Sequence, residues 1–196
     1  MKPKVAIIGR GDAGSALARG LARAGYEAAS AGREPARVRE IALAADVVIL
    51  AVPFESRFDA LREAGDEALA GKVLVDVTNA VAPPDYDLAL EPARGSGAEE
   101  VQARVPNARV VKTLNTVLAH HMETARAHGE RLTAFVAGDD EAAKAVVRDL
   151  ATDLGFDAVD CGPLVNARWL ETMGYFAIQL AYGERLGSDI GIRLVH

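Results

Sequence analysis

The sequence contains a single cysteine, Cys161, among its 196 residues. A disulfide within the chain is therefore excluded, and so is a cysteine-rich metal site. We expect Cys161 to be a small apolar core residue. Long hydrophobic runs are also missing, since the longest are too short to span a bilayer, and Met1 to Lys4 lead directly into a strand pattern rather than a leader peptide. These absences predict a soluble, cytoplasmic protein with no membrane partner.

The sequence has fewer positive than negative side chains, with 22 Lys and Arg residues and 28 Asp and Glu residues, which gives a net charge of −6. This balance argues against nucleic acid as a partner, although it allows a local basic pocket. The G-x-S-x-G elbow of hydrolases and the P-loop are absent as well. His120 and His121 are adjacent, so on a helix their rings would point roughly 100° apart, and no metal site is predicted.

The most informative pattern that is present lies at the N-terminus, where four apolar residues run into glycines spaced G-x-G-x-x-G and then into an alanine-rich helical pattern. This strand, turn and helix context is the one that the dinucleotide fingerprint requires. Its first glycine allows the turn, its second lets backbone approach a pyrophosphate, and its third lets the helix pack on the strand. Amides at the helix N-terminus hold the diphosphate. The predicted cofactor contacts in this loop are Gly9, Arg10, Gly11, Asp12, Ala13 and Gly14.

Short apolar runs alternate with helical patterns along the chain, and most runs lack the polar–apolar alternation of half-exposed strands. The βαβα order predicts right-handed crossovers and a three-layer, doubly wound, mainly parallel α/β sheet of the Rossmann type, forming a single domain over residues 1–196. The predicted strands are Val5–Gly9, Glu27–Ala31, Val47–Val52, Lys72–Val77, Arg109–Thr113, Thr133–Gly138 and Ala158–Asp160. The predicted helices are Gly14–Ala24, Ala36–Ala45, Ser56–Ala70, Ala98–Val105, Ala119–Ala127 and Glu141–Leu154.

Two segments stand apart from this alternation. The loop Val81–Gly97 is the longest irregular stretch and follows a strand end, so we predict that it forms a wall of the active site. A long helical pattern from Asn166 to about Leu186 is apolar around much of its circumference, which predicts burial on more than one side. Residues 165–196 therefore either close the core of the domain or form a dimer interface, and we predict a homodimer.

The residues after the second predicted strand indicate which dinucleotide binds. NAD enzymes carry an acidic residue there to hold a ribose hydroxyl, whereas this chain has Gly32 and Arg33. Arg33 favours a 2′-phosphate through charge-assisted hydrogen bonds, and Arg37, one helical turn later, can share the anion. Glu34 leaves the alternative open, because its carboxylate could accept a hydrogen bond from a free ribose hydroxyl. We predict NADP(H) as the cofactor.

The nicotinamide ring is expected beyond the C-terminal ends of the later strands. One strand ends in an apolar surface that suits the ring, and the next ends in polar side chains that can bond its carboxamide. The predicted contacts are Ala51, Val52, Pro53, Thr78 and Asn79. Lys112 could serve as a general acid, but nothing in the sequence requires one.

Together these segments resemble the family of coenzyme F420-dependent NADP reductases, whose NADPH-binding fold is shared by the cytoplasmic domains of STEAP metalloreductases. The matching stretches are residues 9–14, 31–33, 47–54, 112–116, 138–140 and 160–168. The resemblance implies hydride transfer directly between NADP(H) and a second ring, F420 or the flavins FMN or FAD, with a small-molecule redox acceptor and no obligatory catalytic side chain. It implies that the pocket for the second ring includes Asn115, Thr116, Val117, Leu118, Ala119 and Asn166.

The chain departs from the family pattern in two places. Arg10 and Gly32 stand where the family usually has small hydroxyl residues, so the phosphate site is rebuilt. The segment Pro35–Ala45 has room for one helix but hardly for a helix and the usual third strand. Two alternative functions remain open at this point: an NADPH-dependent reductase of an imine, a carbonyl or a ferric chelate acting through flavin, and a non-enzymatic NADPH sensor. Only one long helix follows Asn166 to build a separate substrate site, which weighs against an imine reductase.

Overall fold

The structure is a computed structural model that describes residues 1–82 and 87–196. The predicted loop Val81–Gly97 is therefore covered only in part, and its two adjacent prolines, Pro83 and Pro84, lie outside the described residues. On either side of this gap, strand β5 (Val81–Ala82) pairs antiparallel with β6 (Asp87–Leu88).

Seven strands form one sheet, and each of them corresponds to a predicted strand. They are β1 (Val5–Ile8), β2 (Ala28–Ala31), β3 (Val47–Leu50), β4 (Val73–Asp76), β7 (Arg109–Lys112), β10 (Thr133–Gly138) and β11 (Asp157–Asp160). Their order across the sheet is β11-β10-β7-β4-β3-β1-β2. Neighbouring strands are parallel except for β10, which runs antiparallel to β7. The prediction of a doubly wound, mainly parallel sheet is confirmed.

Helices cover both faces of this sheet. They are α1 (Asp12–Arg23), α2 (Pro35–Ala44), α3 (Arg57–Ala64), α4 (Asp66–Leu69), α5 (Gly97–Arg104), α6 (Glu141–Leu154) and α7 (Ala167–Ile178). Side chains alternate along each strand, so Val5 and Ile7 pack with α1 and α6 on one face, while Ala6 and Ile8 pack with α2, α3 and α5 on the other. Burial on both faces explains why the strands are continuous apolar runs.

Two helix predictions need correction. The predicted helix Ser56–Ala70 is interrupted at Gly65, whose φ of 88° ends α3 before α4 begins. The predicted helix Ala119–Ala127 is wrong: a single 3-10 turn, Ala119–His121, leads into a hairpin of β8 (Arg126–Ala127) and β9 (Glu130–Arg131). Helical periodicity in these short segments was outweighed by left-handed backbone, including Ala125 with a φ of 58°.

The C-terminal helix is present but differs from its prediction. α7 ends at Ile178 and continues as a π-helical turn, Gln179–Gly183. One face of α7, including Leu170 and Gly174, is buried, whereas the side chains of Trp169 and Phe176 are 64% and 59% exposed. The prediction that this helix is buried on more than one side is therefore wrong for the single chain.

At its β2 edge the sheet departs from the family pattern, as the short segment after β2 indicated. Residues 35–44 form α2 alone, and β2 is the last strand of the sheet, so within residues 1–82 and 87–196 the usual third strand has no counterpart. In the same part of the chain, none of the helices combines the length and the apolar character that crossing a bilayer requires.

Candidate active site

A cleft of about 900 Å³ runs along the C-terminal ends of β1, β3 and β4. It brings together predicted cofactor contacts from four separate segments of the chain: Gly9, Arg10, Gly11, Asp12, Ala13, Gly32, Arg33, Ala51, Val52, Pro53, Thr78 and Asn79. Gly14 and Arg37 do not line it. Gly14 is buried beneath the loop, and Arg37 is exposed on α2, with its guanidinium 2.5 Å from the carboxylate of Glu40.

The three glycines of the N-terminal loop play different structural parts. Gly9 has a φ of 125°, and a Cβ there would overlap the carbonyl oxygen of Ala51. A Cβ at Gly14 would overlap the carbonyl oxygen of Gly9. Apart from the local backbone around Gly11, no heavy atom of the described residues lies within 4 Å of the position that a Cβ at Gly11 would take, and Gly11 lines the cleft. Packing therefore requires the first and third glycines, while the second leaves open space where a ligand can approach the backbone.

α1 begins directly after this loop, with Gly11 as its N-cap. Gly11 supplies no side-chain cap, so the first amides of α1 need hydrogen-bond acceptors from outside the helix. A helix start of this kind attracts anions, because amide donors and the helix dipole act together. The residues present therefore fit the diphosphate of a dinucleotide.

Arg10, from the loop before α1, and Arg33, from the loop after β2, line the other end of the cleft, and Glu34 lies beside Arg10. Arg10 donates from Nη2 to the carbonyl oxygen of Ser30 at 2.7 Å, and its Nη1 lies 3.4 Å from Oε1 of Glu34. Glu34 also accepts a hydrogen bond from the amide of Gly32, at 3.0 Å from Oε2. Arg33 has no hydrogen bond or ion pair with any described residue. The Glu34 carboxylate thus contacts two donors, one from each of these loops, at the place where a 2′-phosphate is predicted.

The opposite end of the cleft is fixed by a pair of amides. Nδ2 of Asn79 donates to the carbonyl oxygen of Asn115 at 2.7 Å, and Nδ2 of Asn115 donates to Oδ1 of Asn79 at 2.9 Å. Asn115 also donates to the carbonyl oxygen of Leu170 in α7 at 2.7 Å. The turn that presents Asn115 passes through Leu114 in the left-handed region, with a φ of 57°. This pair joins the ends of β4 and β7 to α7.

Thr78, beside this pair, is buried and lines the cleft. Its hydroxyl oxygen finds no hydrogen-bond partner within the described ranges. A buried hydroxyl without a partner is costly, so this atom is free to bond a polar group that enters the cleft.

Beneath the cleft lies a buried ionic cluster that the sequence analysis did not predict. Nζ of Lys112 is 3.0 Å from Oδ2 of Asp76 and 2.8 Å from Oε1 of Glu171, and it donates to the carbonyl oxygen of Thr78 at 2.6 Å. Burial by itself lowers the pKa of Lys112, but the charges of Asp76 and Glu171 outweigh that effect and raise the pKa above its usual value. The ammonium therefore stays charged. Lys112 does not line the cleft, so the structure gives it no access as a general acid.

Both carboxylates of this cluster are bonded further. Glu171 accepts from the amides of Gly97 at 2.8 Å and Ala98 at 3.2 Å, at the start of α5, and Asp76 accepts from the amide of Thr78 at 2.9 Å. Complete bonding is what makes buried charges tolerable. The cluster holds Thr78 in place and ties β4, β7, α5 and α7 together. Two charged residues that end buried runs, Asp76 in β4 and Lys112 in β7, were the sequence features that pointed to it.

The residues predicted for the second ring lie apart from the cleft. Thr116, Val117 and Leu118 are buried, with Val117 in the main hydrophobic cluster, and Ala119 begins the 3-10 turn. Asn115 reaches the cleft only through Asn79, and Asn166 donates to the carbonyl oxygen of Cys161 at 2.6 Å. The cleft wall also includes side chains that were not predicted from the sequence: Asp59, Glu63 and Ile178. Val81, the first residue of the loop predicted to form a wall of the site, lines the cleft as well. The apolar pattern of the C-terminal helix could have indicated Ile178.

Comparisons with known proteins indicate the family to which the chain is related. The family model of coenzyme F420-dependent NADP oxidoreductases matches residues 4–45 and 40–80. The F420-dependent NADP reductase of Methanocaldococcus jannaschii is 32% identical over 162 residues, which cover 81% of this chain and 71% of that protein. A protein of Arthrobacter sp. FB24, crystallised as a candidate F420-dependent NADP-reductase, has a TM-score of 0.87 at 31% identity, covering 99% of this chain and 100% of that one.

A third relative is longer than this chain. Metalloreductase STEAP3 of Rattus norvegicus is 32% identical over 183 residues, which cover 87% of this chain but 36% of the metalloreductase. This chain therefore spans about a third of that relative's length. The matches to two relatives over 71% and 100% of their length, together with the glycine loop and the cleft, identify the family. The chain belongs to the F420-dependent NADP reductases, a family of NADP-dependent oxidoreductases.

Proposed function

We propose that this protein transfers hydride between NADP(H) and a deazaflavin ring of the coenzyme F420 type. The observation that carries the proposal is the cleft itself, which extends without interruption from the Gly9–Gly14 loop to Thr78 and Asn79. Its family supports F420 over the flavins FMN and FAD, which remain alternative second rings.

The described residues suggest how the nucleotide is held. Open space at Gly11 and the uncapped amides of α1 suit the diphosphate, and the Thr78 hydroxyl and the Asn79 amide suit the carboxamide. Val52 and Phe54 add apolar surface to the wall of the cleft. When bound, NADP(H) supplies the hydride chemistry, so the protein needs to orient the two rings and exclude water rather than provide an acid or a base.

The 2′-phosphate is proposed to bind between Arg10, Arg33 and the amide of Gly32. Arg33 is available without breaking an existing contact among the described residues, whereas Arg10 and Gly32 would exchange the Glu34 carboxylate for the phosphate. Two guanidinium groups and an amide give a phosphate more charge-assisted hydrogen bonds than one ribose hydroxyl can use. This arrangement favours NADP(H) over NAD(H).

Substituting Arg33→Ala is expected to weaken NADPH binding by about 1.5–3 kcal/mol, the scale of a hydrogen bond to a charged group, and to leave NADH binding nearly unchanged. Isothermal titration calorimetry with both nucleotides measures the difference. Arg37→Ala is the matched control, because Arg37 pairs with Glu40 outside the cleft, and we expect it to have little effect. Equal losses for NADPH and NADH would show that Arg33 does not recognise the phosphate.

The acceptor is tested by supplying NADPH with oxidised F420, FMN, FAD or a cyclic imine in turn, without oxygen, and following the absorbance of the reduced nicotinamide. Turnover with F420 that exceeds turnover with both flavins supports the proposal. Faster turnover with a flavin or with the imine would assign a different acceptor class. Tight NADPH binding without turnover on any of them would indicate a sensor rather than an enzyme.

A homodimer is proposed as the working assembly. The exposed face of α7 presents Trp169 and Phe176, and Val165, in the 3-10 turn just before α7, is exposed as well. Clustered exposed apolar side chains of this size are typical of interaction surfaces. The other face of α7 carries Glu171 and packs over the ionic cluster, so a second copy bound here would also steady the site.

The double substitution Trp169→Ser and Phe176→Ser is therefore expected to convert a dimer into a monomer without loss of folding, because both side chains are exposed in the single chain. Sedimentation velocity measures the assembly, and circular dichroism checks the fold. Leu43→Ser, at an exposed apolar position on α2, is the control and is expected to stay dimeric. A monomeric wild type, or a double variant that remains dimeric, would contradict the assignment of this face.

A further inference from the structure

Three of the chain's four histidines converge on one carboxylate, at a place that is not part of the cleft. His120 and His121 lie in the 3-10 turn Ala119–His121, His128 lies between β8 and β9, and Asp189 lies in the C-terminal segment. The fold thus brings residues about 60 positions apart in sequence into one cluster.

The candidate ligand atoms of this cluster lie close to one another. One ring nitrogen each from His120 and His121 and one carboxylate oxygen of Asp189 all lie within 4.8 Å of one another. Nε2 of His121 is 3.4 Å from Oδ1 of Asp189. Two ligands of a tetrahedral zinc ion, each bound at about 2.0–2.1 Å, are separated by about 3.4 Å.

The sequence predicts no joint site here, because adjacent side chains on an α-helix point roughly 100° apart. Adjacent side chains on a 3-10 turn diverge as much, by about 120°. In the structure the ring centroids of His120 and His121 nevertheless lie 3.8 Å apart in a single 3-10 turn, close enough for the two rings to bind one ion.

His121 supplies a second, independent observation. Its side chain is 4% exposed, and its Nε2 makes no hydrogen bond within the described part of the chain. A buried imidazole nitrogen that makes no hydrogen bond calls for an explanation, and a bound ion on that nitrogen provides one.

The backbone that carries the Asp189 carboxylate is held in place by its surroundings. Nε2 of His128 lies 2.6 Å from the backbone oxygen of Asp189 and 3.6 Å from its Oδ2. Farther along, the C-terminal segment is tied to β10 through two hydrogen bonds of Thr133, one to Ile192 at 3.1 Å and one from Leu194 at 2.9 Å. Groups that orient a metal ligand in this way commonly strengthen the site.

We propose that His120, His121 and Asp189 bind a divalent transition-metal ion of the zinc type, with a remaining coordination position open to water. Two imidazoles and a carboxylate are donors that zinc accepts readily, and they disfavour calcium and magnesium, which prefer oxygen alone. The ion fastens the C-terminal segment to the turn that follows β7. The proposal does not depend on the acceptor or on the nucleotide.

The test uses the full chain without a histidine tag, stripped of metal and titrated with Co²⁺ as a spectroscopic probe and with Zn²⁺ by calorimetry. We expect the wild type to bind one ion and to show the visible absorption of cobalt with nitrogen and oxygen ligands. His120→Asn and Asp189→Asn are expected to weaken binding at least about tenfold, the lower end for perturbed metal sites. Both residues are exposed, so these variants should fold. His196→Asn, at the fourth histidine, is the control and should bind as the wild type does.

A thermal unfolding experiment gives a second readout that includes the buried ligand. Zn²⁺ should raise the unfolding temperature of the wild type and of the control, and it should fail to do so for His120→Asn, His121→Asn and Asp189→Asn. Wild-type protein that binds neither ion, or variants that bind as tightly as the wild type, would overturn the proposal. The affinity for NADPH, measured in parallel, should be the same in His120→Asn, Asp189→Asn and the wild type.

Discussion

Replacing Lys112 with methionine is expected to lower the free energy of unfolding by about 3–5 kcal/mol, the usual cost of leaving buried charges without their partner. The ammonium is the only cation found among the described residues within 4 Å of the fully buried Asp76 carboxylate and of Glu171. Methionine fills a similar volume, so the loss reflects charge rather than a cavity. Urea unfolding followed by circular dichroism measures the change.

Lys144→Met is the matched control for this prediction. Lys144 also pairs with two carboxylates, but Glu141 is 82% exposed and Asp160 is 31% exposed, so water can solvate them when the cation is removed. We expect a loss of no more than about 1 kcal/mol. Similar losses in the two variants would mean that the buried cluster contributes no more than a surface ion pair.

Gly11→Val is expected to weaken NADPH binding by about 100-fold or more, roughly 2.7 kcal/mol, with a change in stability of at most about 1 kcal/mol. Gly11 has extended backbone, with φ −70° and ψ −170°, that valine can adopt, and the added side chain would point into empty space. That space is where we place the diphosphate. Calorimetric titration with NADPH and urea unfolding separate the two effects.

Gly9→Ala is the counterpart of Gly11→Val, and we expect it to lower stability rather than to act directly on NADPH binding. The left-handed φ of 125° and the overlap with the Ala51 carbonyl oxygen make any Cβ at Gly9 costly, and we expect a loss of at least about 2 kcal/mol in stability. A stable Gly9→Ala variant, or a Gly11→Val variant with unchanged NADPH affinity, would contradict the division of roles within the loop.

The parts of the fold that could be predicted from sequence are those set by local pattern. Strands such as Val47–Leu50 are short apolar runs because helices cover both of their faces. The glycine spacing likewise predicts the loop before α1. The hairpin after His121 escaped prediction because Ala125 and His128 take left-handed backbone that their residue types do not favour.

The parts of the site that could not be predicted depend on contacts between distant residues. Lys112 and Glu171 are 59 positions apart, and no periodic pattern links them, although they meet in the core. His121 and Asp189 meet in the same way. The sequence also left open whether the loop with Glu34 binds a 2′-phosphate or a free ribose hydroxyl. The structure shows that Glu34 contacts Arg10 and the amide of Gly32, and neither contact could be inferred from pattern or composition.

Transfer of deuterium from labelled NADPH to oxidised F420 tests the central proposal most directly, because the accepting atom of a deazaflavin is a carbon that retains the label. The account predicts that wild-type protein places the deuterium of the transferable nicotinamide position on reduced F420, and that Gly11→Val fails to do so at the same NADPH concentration. Failure of the wild type to reduce F420, or release of the deuterium to water, would contradict it.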